Sequence, residues 1–219
     1  MERISRWIGG KTVVASPADL ASHGRGDEHL ELLRSDTMTG KVVINRLMSL
    51  DGYIAGPGGS MEWEGRRPDD FVDPTTIAEQ AARTGAMLIG RRTNDVGNEM
   101  EAEEPGRVDY PFPGPFFVLT HRPLDPPEPN VTVLSGDIGD AVATALAAAG
   151  GKDLEILGAD VAGQCLERGL VDEILVYVVP VLLGDGVRFW PAGSHPIELE
   201  PISTTQTGDV TILRFRVRR

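Results

Sequence analysis

A single cysteine among 219 residues, Cys165, excludes an intrachain disulfide, and no Cys/His spacing of the kind that holds zinc accompanies it. Cations are scarce as well: 21 Lys and Arg face 33 Asp and Glu, a formal charge of −12 at pH 7. A chain of that sign is a poor partner for a nucleic-acid backbone, which needs clustered Lys and Arg, although a few local cations suffice for the phosphate of one bound cofactor. No apolar run reaches the roughly 18 residues of a membrane span, and Met1–Leu20 lacks the continuous apolar core of a secretion signal. Internal repeats are absent. These absences point to a soluble protein of a reducing compartment, the cytoplasm, with neither membrane nor nucleic acid as its partner.

What is present divides at Lys41. Met1–Gly40 is rich in Ser, Gly, His and charge, with short apolar clusters at Trp7-Ile8 and Thr12–Ala15. Residues 1–40 read as an N-terminal extension, disordered or loosely docked, with a short helix at Asp27–Arg34 and Met38 as an alternative start. Residues 41–219 are long enough for one sizeable core. Strands are expected at Val42–Met48, Ala86–Ile89, Phe116–Thr120, Val131–Leu134, Leu154–Leu157, Glu173–Val181, Glu198–Thr205 and Val210–Val217. Helices are expected at Pro74–Thr84, Thr93–Met100, Ile138–Ala149 and Val161–Arg168. Thr207-Gly208-Asp209 joins the last two strands as a hairpin, and Glu103–Pro115 reads as a surface loop whose aromatics, Tyr110 and Phe112, line a pocket mouth. Alternation followed by a hairpin gives a mixed α/β sheet.

The most informative stretch runs from Leu154 to Trp190. A short apolar strand, LEIL, meets Gly158, a helical pattern opens at once, and a long apolar strand follows and ends at Gly184-Asp185-Gly186. A helix that starts directly behind a strand presents free backbone N–H groups and the positive end of its dipole, an arrangement suited to phosphate. Gly90-Arg91-Arg92-Thr93 repeats the device, adding a hydroxyl and two guanidinium groups. Thr120-His121-Arg122 ends another strand with short hydroxyl and cationic side chains.

Together with KVVINRLMSLDGYIAGP at Lys41–Pro57, AMLIGRRT at Ala86–Thr93, FFVLTHRP at Phe116–Pro123 and the GLVDE…PVLLGDG run, this order resembles the reductase domain of bacterial riboflavin biosynthesis and its stand-alone relatives in the dihydrofolate-reductase-like superfamily. The resemblance implies a three-layer α/β fold, with a mixed central sheet of about eight strands, helices on both faces and a C-terminal antiparallel hairpin. It implies an NADPH-dependent reductase whose family reaction reduces 5-amino-6-(5-phosphoribosylamino)uracil, and it implies a homodimer with the terminal strands near the interface. Dihydrofolate reduction, or nucleotide binding without turnover, are the alternatives. The zinc signature of the companion deaminase is missing, so the bifunctional form is excluded. No nucleophile, base and orienting residue are evident, and hydride transfer requires none, because the cofactor carries the chemistry while the protein orients it.

The resemblance assigns cofactor contacts to Gly90, Arg91, Arg92, Thr93, Thr120, His121, Arg122, Gly158, Ala159, Asp160 and Val161. Ala159 departs from the family's second glycine, so its methyl either narrows the approach of a pyrophosphate or excludes a positive φ. Asp160 is either a site residue or a helix cap. Ser49, Leu50, Asp51 and Gly52 form the loop beside nicotinamide and substrate. There Asp51 is a catalytic candidate that binds substrate or steers a proton, or else the polar half of an Asp-Gly turn. Trp63, followed by Asp69-Asp70, is either a substrate-side candidate or part of an exposed helix entry, and the turn glycines Gly184 and Gly186 either touch substrate or make a purely structural turn. Glu173 either faces the pocket as a second catalytic carboxylate or terminates the sheet, and Tyr177 is core or substrate contact. No metal is expected.

Overall fold

The computed structural model describes residues 7–8, 11–12, 40–64, 72–105, 112–126, 128, 130–191 and 194–218. The expected helix at Asp27–Arg34, the pair Asp69-Asp70 and Tyr110 lie outside them. Two-residue strands β1 (Trp7–Ile8) and β2 (Lys11–Thr12) pair with each other alone. The main sheet has eight strands: β3 (Val42–Ser49), β5 (Thr84–Gly90), β6 (Phe116–Leu119), β7 (Val131–Leu134), β8 (Asp153–Leu157), β9 (Glu173–Val179), β11 (Leu199–Thr207) and β12 (Val210–Val217). Their spatial order is β11-β12-β9-β3-β8-β5-β6-β7. From β9 to β7 every pairing is parallel, and β12 alone runs opposite to the other seven strands. The expected mixed sheet and terminal hairpin are therefore present. Sequence reading passed over β4 (Tyr53–Ala55) and β10 (Val187–Arg188), which pair as a separate short ribbon. Segments of two and three residues are too short for a period-two pattern to register.

Period-two alternation decides which side chains go to which face. Val42, Ile44, Leu88, Leu154, Ile156, Ile174 and Val176 pack against α3 (Ile138–Ala148) and α4 (Ala159–Glu167). Val43, Leu175, Tyr177 and Val179 face the other way, beneath Ile77 of α1 (Pro74–Arg83), Val72 and Trp63. Each fully buried aliphatic side chain contributes on the order of 1.5–3 kcal/mol, so the layers on both faces hold the sheet between them. The fourth helix, α2 (Arg91–Glu103), packs on β5 and β6.

The long apolar run of β9 is explained by its place between β12 and β3. Its apolarity is used inside the sheet and leaves nothing over for a partner. The edges are instead β7 and β11, the latter almost wholly exposed, with Leu199 and Ile202 on the surface.

Candidate functional site

In a parallel sheet the carboxyl ends of the strands share one edge, and register decides which residues meet there. Ile89 pairs with Leu157 and Gly90 with Leu119, so Gly90, Gly158 and Thr120 end three adjacent strands, β5, β8 and β6. Ser49 pairs with Val179, bringing the Ser49–Gly52 loop beside the segment that follows β9. At about 4.8 Å per strand, the five ends from β9 to β6 form a continuous strip roughly 19 Å long.

Two helices open on this strip. Gly158 has φ +92°, a conformation L side chains avoid, and a Cβ there would lie 2.4 Å from Thr93 Oγ1 and 3.7 Å from Gly90 N. The two glycine turns are thus in contact. Neither Gly90 nor Gly158 supplies a side-chain cap, which leaves the first N–H groups of α2 and α4 without side-chain acceptors. Val161 is buried, with Cγ2 3.2 Å from where a Gly90 Cβ would stand, and packs the two turns together. Ala159 is the first helical residue of α4, and no described non-glycine residue has positive φ. The strained conformation falls on Gly158, so alanine at 159 is not asked to adopt a positive φ. Asp160 does not cap the helix: it lies inside the first turn and accepts from Gln164 Nε2 at 2.8 Å.

The cations behave unequally. Arg91 donates from Nε to Asp95 at 2.7 Å and from Nη1 to the Pro123 carbonyl at 2.9 Å, tying the loop after β6 to the start of α2. Arg92 donates to the Gly58 carbonyl and anchors the turn at Pro57–Gly59. The Thr120 hydroxyl accepts the Arg122 N–H at 3.1 Å, while His121 and Arg122 are exposed.

At the other end of the strip Asp51 is fully engaged. Its carboxylate accepts from Ser49 Oγ at 2.7 Å, from Leu183 N at 3.1 Å and from Gly184 N at 2.7 Å. The Ser49 hydroxyl above all, joined by these backbone donors, brings its pKa down to about 2 against the upward effect of desolvation. An acid so held neither takes nor gives a proton near neutrality. Asp51 clamps two loops together at this end of the strip. The same seam includes Tyr53 Oη to the Gly184 carbonyl at 3.2 Å, Arg188 Nη2 to Tyr53 Oη at 2.9 Å, and Phe189 N to the Gly52 carbonyl at 2.9 Å. Gly186 is required there, since a Cβ would lie 2.1 Å from the Ala55 carbonyl. Leu50 and Leu182 stand exposed beside the seam.

Glu173 does not join the strip. It begins β9, six residues and about 20 Å of strand from the carboxyl end. Burial would raise its pKa, but ion pairs to Lys41 and to Arg214, the latter at 2.7 Å, hold it below the ordinary carboxylate range. It closes the sheet's amino edge, because β9 runs parallel to β3 and its first residue lies at the far end. Tyr177 is a core residue, its hydroxyl pushed up to about 12 by burial. Trp63 packs against the α1 side of the sheet with its Nε1 buried and, among the described residues, without an acceptor.

Sequence reading missed two buried ionisable groups. Glu155, on β8, accepts from Thr84 Oγ1 at 2.9 Å and Asn45 Nδ2 at 3.1 Å, and burial raises its pKa. Arg46, on β3, lies beneath Gly158. The signal was available in both strands, a charge inside VVINRLMS and another inside DLEIL. A cleft of about 450 Å³ lies at the opposite, amino edge, lined by small side chains with Phe112 and Lys152. No described group of residues has the makings of a metal site.

Residues 40–213 match the family described as the RibD C-terminal domain. A putative riboflavin biosynthesis protein from Shewanella sp. PV-4 superposes with a TM-score of 0.68 at 26% identity, over 82% of this chain and 99% of its own. Dihydrofolate reductase from Enterococcus faecalis, solved with NADP(H), gives 0.56 at 18% identity over 83% of this chain and 99% of its own, a likeness of fold alone. Among curated proteins, the uncharacterised YwjB of Bacillus subtilis is 24% identical over 183 residues, 81% of this chain and 98% of that one.

Proposed function

The chain belongs to the RibD C-terminal domain family of riboflavin-pathway-like reductases, and from that premise we propose that the carboxyl edge of its sheet binds NADPH and that the protein is an NADPH-dependent reductase. The observation that carries this reading is the pair of glycine-started helices, α2 and α4, opening side by side with no side-chain cap on either. Two dipole ends and their unclaimed N–H groups fit the pyrophosphate of a dinucleotide. Thr93 adds a hydroxyl to that donor set, while the Thr120 hydroxyl donates to the Arg122 carbonyl at 3.2 Å and shapes the turn that carries His121 and Arg122. The exposed His121 and Arg122 supply the positive charge that the 2′-phosphate of NADPH, and no group of NADH, would use.

When bound, the cofactor supplies a hydride from its nicotinamide ring. The chain's own residues orient and enclose. Arg91 and Arg92 hold the loops after β6 and β4, and Asp51 locks the Ser49–Gly52 loop to Leu183 and Gly184 beside the reacting end. The substrate class is a small polar or heteroaromatic molecule with a reducible carbonyl or imine carbon. Ala159, being helical, gives no support to a binder without turnover.

Fluorescence titration with NADPH and NADH tests the cofactor reading: tighter binding of NADPH is expected, and binding of neither nucleotide would sink it. NADPH oxidation across a panel that includes the ribosylamino-pyrimidine and dihydrofolate then decides the substrate.

The same reading includes a homodimer through the exposed edge strand β11, where unpaired backbone and Leu199 and Ile202 face outward. Light scattering at micromolar concentration showing only monomer would count against it. A cytoplasmic setting suits Cys165, which is buried and free, its thiol pushed up to about 12 by burial and so unreactive.

A further inference from the structure

Arg46 is a buried charge without a direct ion-pair partner among the described residues, the carboxylate of Glu155 acting on it only from beyond that distance. It occupies the α4-facing side of β3, in line with Val42 and Ile44, and is 8% exposed. Nη1 donates to the Asn45 carbonyl and Nη2 to the Gly158 carbonyl at 3.2 Å. A guanidinium taken out of water with only two neutral acceptors is expensive, and an apolar side chain of similar length would fill the same space more cheaply. Burial lowers its pKa to about 10, with Glu155 opposing, so it is charged at neutral pH.

The Gly158 carbonyl also accepts the first helical bond of α4, from Ala162 N at 3.1 Å. Because the C=O and N–H of a trans peptide point in opposite directions, holding that carbonyl inward aims the Ala159 N–H outward, toward the strip. The positive charge itself lies under the same turn, in surroundings that screen it little.

We propose that Arg46 is the positioning residue of the dinucleotide site: its guanidinium orients the Gly158–Ala159 peptide and adds a buried positive charge beneath the α4 start, favouring the pyrophosphate. This rests on the reading of the carboxyl edge as an NADPH site. The pyrophosphate is common to both nucleotides, so loss of Arg46 affects NADPH and NADH alike, unlike loss of Arg122.

The test uses the full chain carrying Arg46→Met or Arg46→Lys, titrated with NADPH, NADH and inorganic pyrophosphate and melted without nucleotide. The methionine variant is expected to keep or raise Tm while binding both nucleotides about tenfold more weakly or worse. Lysine, which keeps the charge but has a single donor head, should recover part of the loss. A purely structural arginine would show the reverse, a lowered Tm with affinities unchanged, and that outcome overturns the inference. Should the methionine variant fail to fold, the lysine variant decides: equal weakening of both nucleotides upholds the role, and wild-type affinities refute it. A wild-type protein that binds neither nucleotide refutes the NADPH reading instead. Arg46 is then judged on pyrophosphate alone, by whether the wild type is protected against melting more than the methionine variant.

Discussion

Among the described residues, two helices begin behind an aspartate and two behind a glycine, and the contrast separates scaffold from site. Asp73 accepts from Thr75 N at 2.8 Å at the start of α1, and Asp137 accepts from Gly139 N at 2.8 Å at the start of α3. Each carboxylate satisfies an orphan donor and places its own negative charge on the dipole, so an incoming anion would find the place taken. Gly90 and Gly158 do neither. The cost of leaving α2 and α4 uncapped is borne in stability, and what it leaves open is two adjacent sets of N–H groups at the ends of neighbouring strands. Asp51 is a third variation, a carboxylate that caps a loop, fastening Leu183 and Gly184 to the turn after β3.

The largest effect is expected at the glycine starts. Gly158→Ala forces an L side chain to φ +92° and a Cβ into Thr93 Oγ1. Denaturant unfolding should show a loss of about 2–3 kcal/mol, the upper range for a strained residue. A variant as stable as wild type would mean the turn is not held where it stands.

Next comes Arg122→Ala, which should weaken NADPH by about 1.5–3 kcal/mol, ten- to hundredfold, and leave NADH unchanged. Equal losses for both nucleotides would remove the 2′-phosphate from the reading. Asp73→Ala probes the other side of the contrast: loss of a cap costs about 1 kcal/mol in stability, with nucleotide affinities untouched. Weaker nucleotide binding in that variant would erase the distinction between scaffold and site starts.

The smallest change is the pH dependence carried by Asp51. Its folded pKa, about 2, is below the ordinary value of 3.8, so its stabilisation is complete above about pH 4 and is lost as pH falls through 2. The stability gap between wild type and Asp51→Asn should therefore be constant from pH 8 to pH 4 and close toward pH 2. A gap that persists at pH 2 would show that the clamp does not depend on the ionised acid.

Much of the fold was legible along the chain because its signals are local. Val131–Leu134 and Val210–Val217 came out with their observed bounds, since alternation and a Thr-Gly-Asp turn report strand and hairpin without help from the rest of the molecule. Gly90 and Gly158 announced themselves as helix starts for the same reason, each being a glycine between an apolar strand and a helical period. Glu173 was not legible. A carboxylate at the head of an apolar strand reads the same whether that end of the strand meets the site or the opposite edge, and only the direction of β9 beside β3 settled it.

What the sequence by itself determined is the set of elements, the faces their side chains take and the glycine turns that start α2 and α4, all consequences of backbone sterics and periodicity within a few residues. The tertiary structure decided the neighbours. That β8, β5 and β6 lie side by side, that Asp51 is consumed by a loop 132 residues away, and that Arg46 is buried under Gly158, 112 residues on, follow from strand order and direction. Those depend on which distant surfaces bury one another best once loop closure is met, and no local pattern encodes that balance.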